Sequence, residues 1–407
     1  ISSLSETAVS TLTNSISKEF HSFGSLTWIA GGYLMTIVAF TPLFGKFSDI
    51  FGRKPVGIFA ISLFFIGSLG CALSTSIDML IAFRVVSGIG GGGLSSLSFI
   101  MVSDVIPVAK RPQFLAGISL VFCLSQVLGP ILGGIVADHS WRIIFYSLLP
   151  LCILLAGLII FVLELPESSG NISHKLKRID YLGSLTLILS IVVLILMTTL
   201  GGKDYSWTST PLIILYILEI LFLSLFILVQ WKFAKEPILP SRVFNRNIIC
   251  ANIANFCCGA INLTTVFYLP VYYLTVKNLS PSQAGYQLIP LLISNSLFCL
   301  FSAYFARWFK TIRGVMWIGG IILVIGVILL CFVRIGAGEG ENISYAVILG
   351  IGLGMNLQLL MLISQISVDQ EDAAISTSFN MFTTYIGGVI GVAITGSVYN
   401  NIFVEQL

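Results

Sequence analysis

Charge is what this sequence has least of. Asp, Glu, Lys and Arg make up 10% of its 407 residues, and hydrophobic residues make up 56%. A soluble domain carries about a quarter charged residues. So few charges cannot cover a water-facing surface, which excludes an ordinary soluble domain and leaves lipid to cover the rest. The net charge of +3 is small and spread over loops, so there is no nucleic-acid footprint. Histidine is scarcer still. His21, His139 and His174 all fall between apolar segments, and no His-based metal site can be built from them. The eight cysteines lie in apolar stretches and form no CxxC pair. They read as small buried hydrophobes, not as a disulfide framework or a zinc site. No metal and no cofactor is expected.

What is present is a series of long apolar runs. A bilayer core of ~30 Å needs about 20 helical residues. Thirteen segments qualify: 1–15, 26–44, 56–74, 79–102, 114–137, 143–163, 181–200, 211–231, 248–275, 288–305, 315–333, 344–368 and 379–403. The first reads as incomplete. The runs are continuously apolar, not alternating, so helices are expected and not a barrel. The fold class is therefore an all-α, multi-pass membrane protein. Two pseudo-symmetric six-helix bundles with two linker helices are expected, with a last helix missing beyond Leu407. The boundaries read as 1–163 for the N-terminal bundle, 164–247 for the linker and 248–407 for the C-terminal bundle.

Basic residues set the orientation. If the 45–55 loop is cytoplasmic, the loops on its side carry fifteen Lys and Arg against five on the other. Asn278-Leu-Ser and Asn342-Ile-Ser then lie as sequons on the non-cytoplasmic side, and Asn171-Ile-Ser on the cytoplasmic side.

The loop GKFSDIFGRKP at 45–55 carries the strongest local signal. Gly45 and Gly52 allow tight turns and close helix approach. Asp49 can accept from Arg53 or from a neighbouring helix N-terminus. Such a cluster, with Lys54, can latch helices together in one conformation and release them in another. A weaker basic echo, SAYFARWFKTIR at 302–313, lacks the acid.

Gly45, Asp49, Gly52, Arg53 and Lys54 together resemble the signature loop of the major facilitator superfamily. Arg84 with Gly88 and Gly90 resembles the family's fourth-helix motif. Gly129, Pro130, Gly133 and Gly134 resemble its fifth-helix antiporter motif. Trp141-Arg142, the run Ile179 to Gly183, and Gly201-Gly202 with Trp207 are similar to the fungal fourteen-span drug:proton antiporter branch. The wording is most similar to vacuolar basic amino acid transporters. One departure concerns coupling. The branch has Asp-x-Thr in its first helix, whereas here Ser5 precedes Thr7 at the Asp position and Glu6 is its neighbour, about 100° around the helix. Another is Thr384, which stands where the family often has Arg before the pair Gly387-Gly388.

Three charges fall well inside segments: Glu6, Arg84 and Glu219. Each costs at least ~2.5 kcal/mol at mid-helix on insertion scales, so each invites a functional reading. Glu6 and Arg84 are the candidate proton-coupling pair. Glu219, in the linker helices, reads as a helix-linking or lipid-interface residue. Asn252, Asn255 and Asn262 share a helical face and, with Asn356 and Gln126, are candidates for a substrate cavity. Interhelical packing accounts for them equally well. The small-xxx-small pairs Gly129/Gly133 and Gly387/Gly391 read as close packing, with a sharper alternative as a moving seam.

No His, Asp or metal constellation lies within the segments, so an enzyme is not expected. The resemblance implies a proton-coupled secondary transporter working by alternating access, moving basic amino acids across the vacuolar membrane. The alternatives are a plasma-membrane multidrug:proton antiporter and a transporter-like receptor that moves nothing. Implied partners are a small-molecule substrate (a basic amino acid or organic cation), protons and the bilayer, with the protein a monomer.

Overall fold

In a computed structural model, the described residues are 1–20, 26–107, 110–137, 139–163, 172–202, 205–277, 279, 281–332 and 338–406. They form fifteen α-helices: α1 (Ser2–Phe20), α2 (Leu26–Phe51), α3 (Arg53–Ala72), α4 (Ile77–Val105), α5 (Arg111–Ala137), α6 (Arg142–Phe161), the short α7 (Ile172–Lys177), α8 (Tyr181–Leu200), α9 (Thr210–Leu228), α10 (Arg246–Thr275), the short α11 (Pro281–Tyr286), α12 (Ile289–Trp308), α13 (Ile312–Cys331), α14 (Glu339–Ile366) and α15 (Ala373–Gln406). Each of the thirteen apolar segments is one long helix. Twelve are long and apolar enough to cross a membrane. The other is α1, nine of whose nineteen residues are Ser or Thr. The sequons at Asn171 and Asn278 lie outside the described residues. Asn342 is buried within α14, so its sequon gives no support to the orientation.

Local sequence explains where helices begin. Ser76 caps α4, accepting from the Met79 amide at 3.2 Å. Asp180 caps α8 through Gly183 at 2.8 Å, and Asn245 caps α10 through Ile248 at 2.9 Å. Each satisfies a backbone donor that the helix itself leaves open. Pro130 sits inside α5, as Pro42, Pro150 and Pro270 do in α2, α6 and α10, which membrane helices tolerate.

The 45–55 segment is not a loop. α2 continues to Phe51, and α3 begins at Arg53. The whole turn is one residue, Gly52, at φ 97°. A side chain there would be strained. The end of the molecule bearing this turn is the Gly52 end.

Helices α1–α6 pack as one bundle, and α10 with α12–α15 as another. The run of glycines in α4 lets neighbours close on two sides. A methyl at Gly88 would strike Tyr33 and Thr36 of α2, and one at Gly90 would strike Ala60 and Phe64 of α3. Between the bundles, α8 leans on α2 and α15, with Leu187, Ile191 and Ile195 against Val38, Leu43 and Ile386. Much of α9, including Ile213, Ile217 and Ile220, faces outward. Glu219 accepts from the Ser190 hydroxyl at 2.9 Å, which links α9 to α8.

The two bundles meet most closely towards the Gly52 end. Phe99 and Leu115 of the first share an apolar cluster with Ala306, Leu359 and Met381 of the second. Phe44 and Leu97 similarly enclose Ala374. Two hydroxyl bridges reinforce the contact: Ser96 to Ser378 at 2.8 Å, and Ser119 donating to Gln358 at 2.9 Å. The linker crosses the same end. Glu236 meets Arg178 at 2.7 Å and Lys46 of α2 at 3.4 Å, and Arg242 meets Asp372, just before α15, at 2.8 Å.

Candidate functional site

Arg84, on α4, is fully buried. Its Nη1 donates to the Ser5 hydroxyl at 3.0 Å and its Nε to the Ile29 carbonyl at 3.1 Å. The guanidinium carbon stands 3.9 Å above the Tyr33 ring, a placement that favours a cation. Nη2 has no hydrogen-bond partner. Arg84 and Glu6, the candidate proton-coupling pair, form no ion pair in this structure. Ser5 and Glu6 are successive residues of one helix, so they point in different directions, and the Ser faces Arg84. Glu6 remains close enough for its charge to act on Arg84, Tyr33 and Tyr385. Tyr33 also holds α1, since its hydroxyl lies 2.8 Å from the Ser2 hydroxyl and 3.0 Å from the Ser2 carbonyl. The site therefore joins α1, α2 and α4 around one cation. Tyr33 had no motif to mark it in the sequence.

At the Gly52 end, Arg53 donates to Asp49, to Ser48 at 2.9 Å, and through Nε to Asp104 of α4 at 2.6 Å. The second Asp49 oxygen is buried without a partner. Lys54 donates to the carbonyls of Ile160 and Leu163 at 2.8 and 3.3 Å, capping the open C-terminus of α6. Gly45 is helical and presses on Ser378 of α15. The motif thus clasps α2, α3, α4 and α6, and through Gly45 it touches the second bundle. Asp104 was not singled out in the sequence; its place in the last turn of α4, at the same basic end, was the available signal.

Residues 1–392 match the family described as the Major Facilitator Superfamily. The chain belongs to the major facilitator superfamily. It is 32% identical over 409 residues to Multidrug resistance protein 3 of Bacillus subtilis, covering 100% of this chain and 78% of that protein. It is 34% identical to Efflux pump dotC of Dothistroma septosporum, over 98% of this chain and 70% of that protein. Multidrug resistance protein fnx1 of Schizosaccharomyces pombe is 30% identical, over 100% and 78%. The proton:xylose symporter XylE has the same fold at TM-score 0.67 and 15% identity, covering 100% of this chain and 86% of that one. The human organic anion transporter MFSD10 also matches at TM-score 0.67, with 16% identity over 98% and 92%. This family membership makes the chain a secondary transporter and not an enzyme, embedded by multiple passes in a membrane and handling small molecules.

The remaining candidates of this superfamily member divide by what they touch. Gly129 and Gly133 press on Thr7, Ala8 and Thr11 of α1, whereas a methyl at Gly134 would meet nothing. The glycines of the antiporter-like stretch around Pro130 therefore pack α5 on α1, while Val127 beside them packs against the second bundle's core. Asn252 accepts from Thr383 at 2.8 Å. Asn255 donates to the Asn380 carbonyl at 2.7 Å and to Thr384. Both are buried and bond α10 to α15, contacts that interhelical packing accounts for. Asn356 turns back to the Gly352 carbonyl at 2.8 Å and lies against Gly319 of α13. Asn262 is half-buried and its side-chain oxygen lacks a partner, and Gln126 is half-buried on α5. These two are the cavity candidates that the packing leaves over.

Proposed function

We propose that the protein is a proton-coupled efflux transporter of amphipathic organic compounds, with Glu6 as the proton carrier. The observation that carries this is the buried Arg84, held by Ser5 and Tyr33 with one donor unused, with the Glu6 carboxylate within charge range. An intramembrane acid beside an unneutralised cation has two states of different energy, and a conformational change that alters their separation takes up or releases a proton. The two bundles rock about this region, and the Gly52 end is the cytoplasmic one by its excess of Lys and Arg. The bundles and linker divide at 1–163, 164–247 and 248–407, with α8 and α9 as the additional pair of the fourteen-span branch.

The relatives' names, multidrug resistance proteins and efflux pumps, favour organic compounds as cargo. Basic amino acids and the vacuolar membrane rest on the similarity of sequence wording alone. We take efflux across the plasma membrane as the accompanying reading.

The test is flux into proteoliposomes with an imposed pH gradient. One arm uses a fluorescent organic cation, a second a labelled basic amino acid, and a third omits the gradient. Gradient-dependent accumulation of the organic cation is expected. Binding without accumulation would make the protein a receptor, and accumulation only of the amino acid would replace the cargo.

A further inference from the structure

We propose that Tyr385 is the positioning residue by which the second bundle responds to the protonation of Glu6, through its meeting with Ser95 of α4. The proposal rests on Glu6 being the proton carrier.

The argument starts from the two faces of α15. Thr384, Gly387, Gly388 and Gly391 fall on one side at 100° per residue. There α15 and α10 touch almost backbone to backbone. Side chains at Gly387 and Gly391 would overlap the carbonyls of Phe256 and Ala260, and one at Gly259 would overlap that of Thr384. Asn255 adds its bonds to Asn380 and Thr384 on this side. The helix is thus fixed to its own bundle and moves with it. Ser378, Tyr385 and Val389 share a different face, turned to α2, α4 and α8. Ser378 bridges Ser96 at 2.8 Å and abuts Gly45, and Val389 packs with Leu43 and Ile191.

Tyr385 occupies the middle of that face, two turns from Ser378. It packs against three separate apolar clusters. One contains Tyr33, Leu4 and Leu94, another Phe99 and Leu115, and the third Val38 and Leu43. It therefore reaches from the second bundle into the first bundle's charged site. Its hydroxyl lies near that of Ser95, whose oxygen is buried and outside hydrogen-bond geometry with any described partner. A buried hydroxyl left unbonded costs about 1–3 kcal/mol, so this position has a bond still to make. Glu6 acts on Tyr385 through space, as does Tyr33.

The charged and titratable groups facing Glu6 come from four helices: Arg84 on α4, Tyr33 on α2, Tyr385 on α15 and, beyond Arg84, Cys71 on α3. Of these, Tyr385 alone belongs to the moving half. An ionised Glu6 pulls the dipole of the Tyr385 hydroxyl towards itself. A Glu6 that has accepted a proton is neutral and releases it to bond Ser95. That bond draws α15 onto α4 beside the existing Ser378–Ser96 bridge and closes the bundles together. Loss of the proton loosens the same seam.

Tyr385→Phe keeps the ring and its packing but removes the hydroxyl. Wild type, Tyr385→Phe, Ser95→Ala and Ser378→Ala would be purified as full chains and compared in proteoliposomes. Three readouts are needed: thermal stability, substrate exchange at equal pH on both sides, and gradient-driven uptake across a range of pH. For Tyr385→Phe and Ser95→Ala, exchange and stability should stay near wild type. Driven uptake should fall by about tenfold, the size of one lost hydrogen bond, with a flattened pH profile. An unchanged pH profile in Tyr385→Phe, or an equal fall in exchange and driven uptake, would overturn the proposal. A wild type that exchanges substrate but ignores the gradient would overturn Glu6 as carrier and this proposal with it. A carrier that survives while Tyr385→Phe behaves as wild type would remove Tyr385 alone.

Discussion

Arg84 of α4 donates to Ser5 of α1 at 3.0 Å and makes no ion pair with Glu6, the next residue of that helix. The cation is anchored by a neutral hydroxyl, a carbonyl and a ring face, and the acid stands one residue aside. The arrangement keeps Glu6 free to change its charge without dismantling the site that holds Arg84.

Moving the acid tests this directly. Glu6→Gln should reduce gradient-driven uptake at least tenfold with little loss of expression. Adding Ser5→Asp to that variant places a carboxylate at the atom Arg84 already contacts, and should restore part of the uptake. Uptake as a function of external pH is the measurement. Normal driven transport by Glu6→Gln would show that another group carries the proton.

Arg84→Lys retains charge but loses the planar fork that reaches Ser5 and Ile29 together. Driven uptake should fall by about tenfold or more, the equivalent of ~1.4 kcal/mol on the limiting step. Substrate binding, measured by equilibrium displacement, should be partly retained.

Asp104→Asn removes one of two carboxylates that Arg53 holds, and Asp49→Asn removes the other. Each should slow transport several-fold while expression stays near normal, since Arg53 keeps the other carboxylate as a partner. Rates from single-turnover exchange, set beside detergent melting curves, separate the two effects.

Gly129→Ala should destabilise the first bundle, because the new methyl would meet Thr7 and the Ala8 backbone. A cost of about 1–3 kcal/mol is expected for such overpacking. Gly134→Ala, into open space, should be neutral, and thermal unfolding in detergent distinguishes them.

Arg178 bonding holds Glu236 below the usual carboxylate range. A depressed folded value means the pair stabilises at neutral pH. That contribution is lost as pH falls from the unfolded value of about 4.3 through the lower folded one. Glu236→Gln should therefore melt slightly below wild type at pH 7, by no more than about 1 kcal/mol for so exposed a pair. The two curves should converge under acid.

The sequence alone determined the class, the helices and the family. Long apolar runs with 10% charge leave the backbone no way to satisfy itself in lipid except as helices. All thirteen segments are indeed long helices. Gly45, Asp49, Gly52, Arg53 and Lys54 were legible because a helix turn of one residue needs glycine, and its charges need one another. The intramembrane position of Arg84 was legible because it is costly. Partners were not. Whether Arg84 meets residue 5 or residue 6 depends on the rotation of α1 against α4, a tertiary variable with no local signature. The polar residues Asn252 and Asn255 look the same on a cavity wall and in a helix contact. Only the closeness of α10 and α15, set by glycines more than a hundred residues apart in the chain, brings them into bonding distance of α15. Tyr385 carries no motif at all. Its place beside Ser95, Tyr33 and Glu6 follows from which face of α15 those glycines use up, which is decided when the two bundles come together.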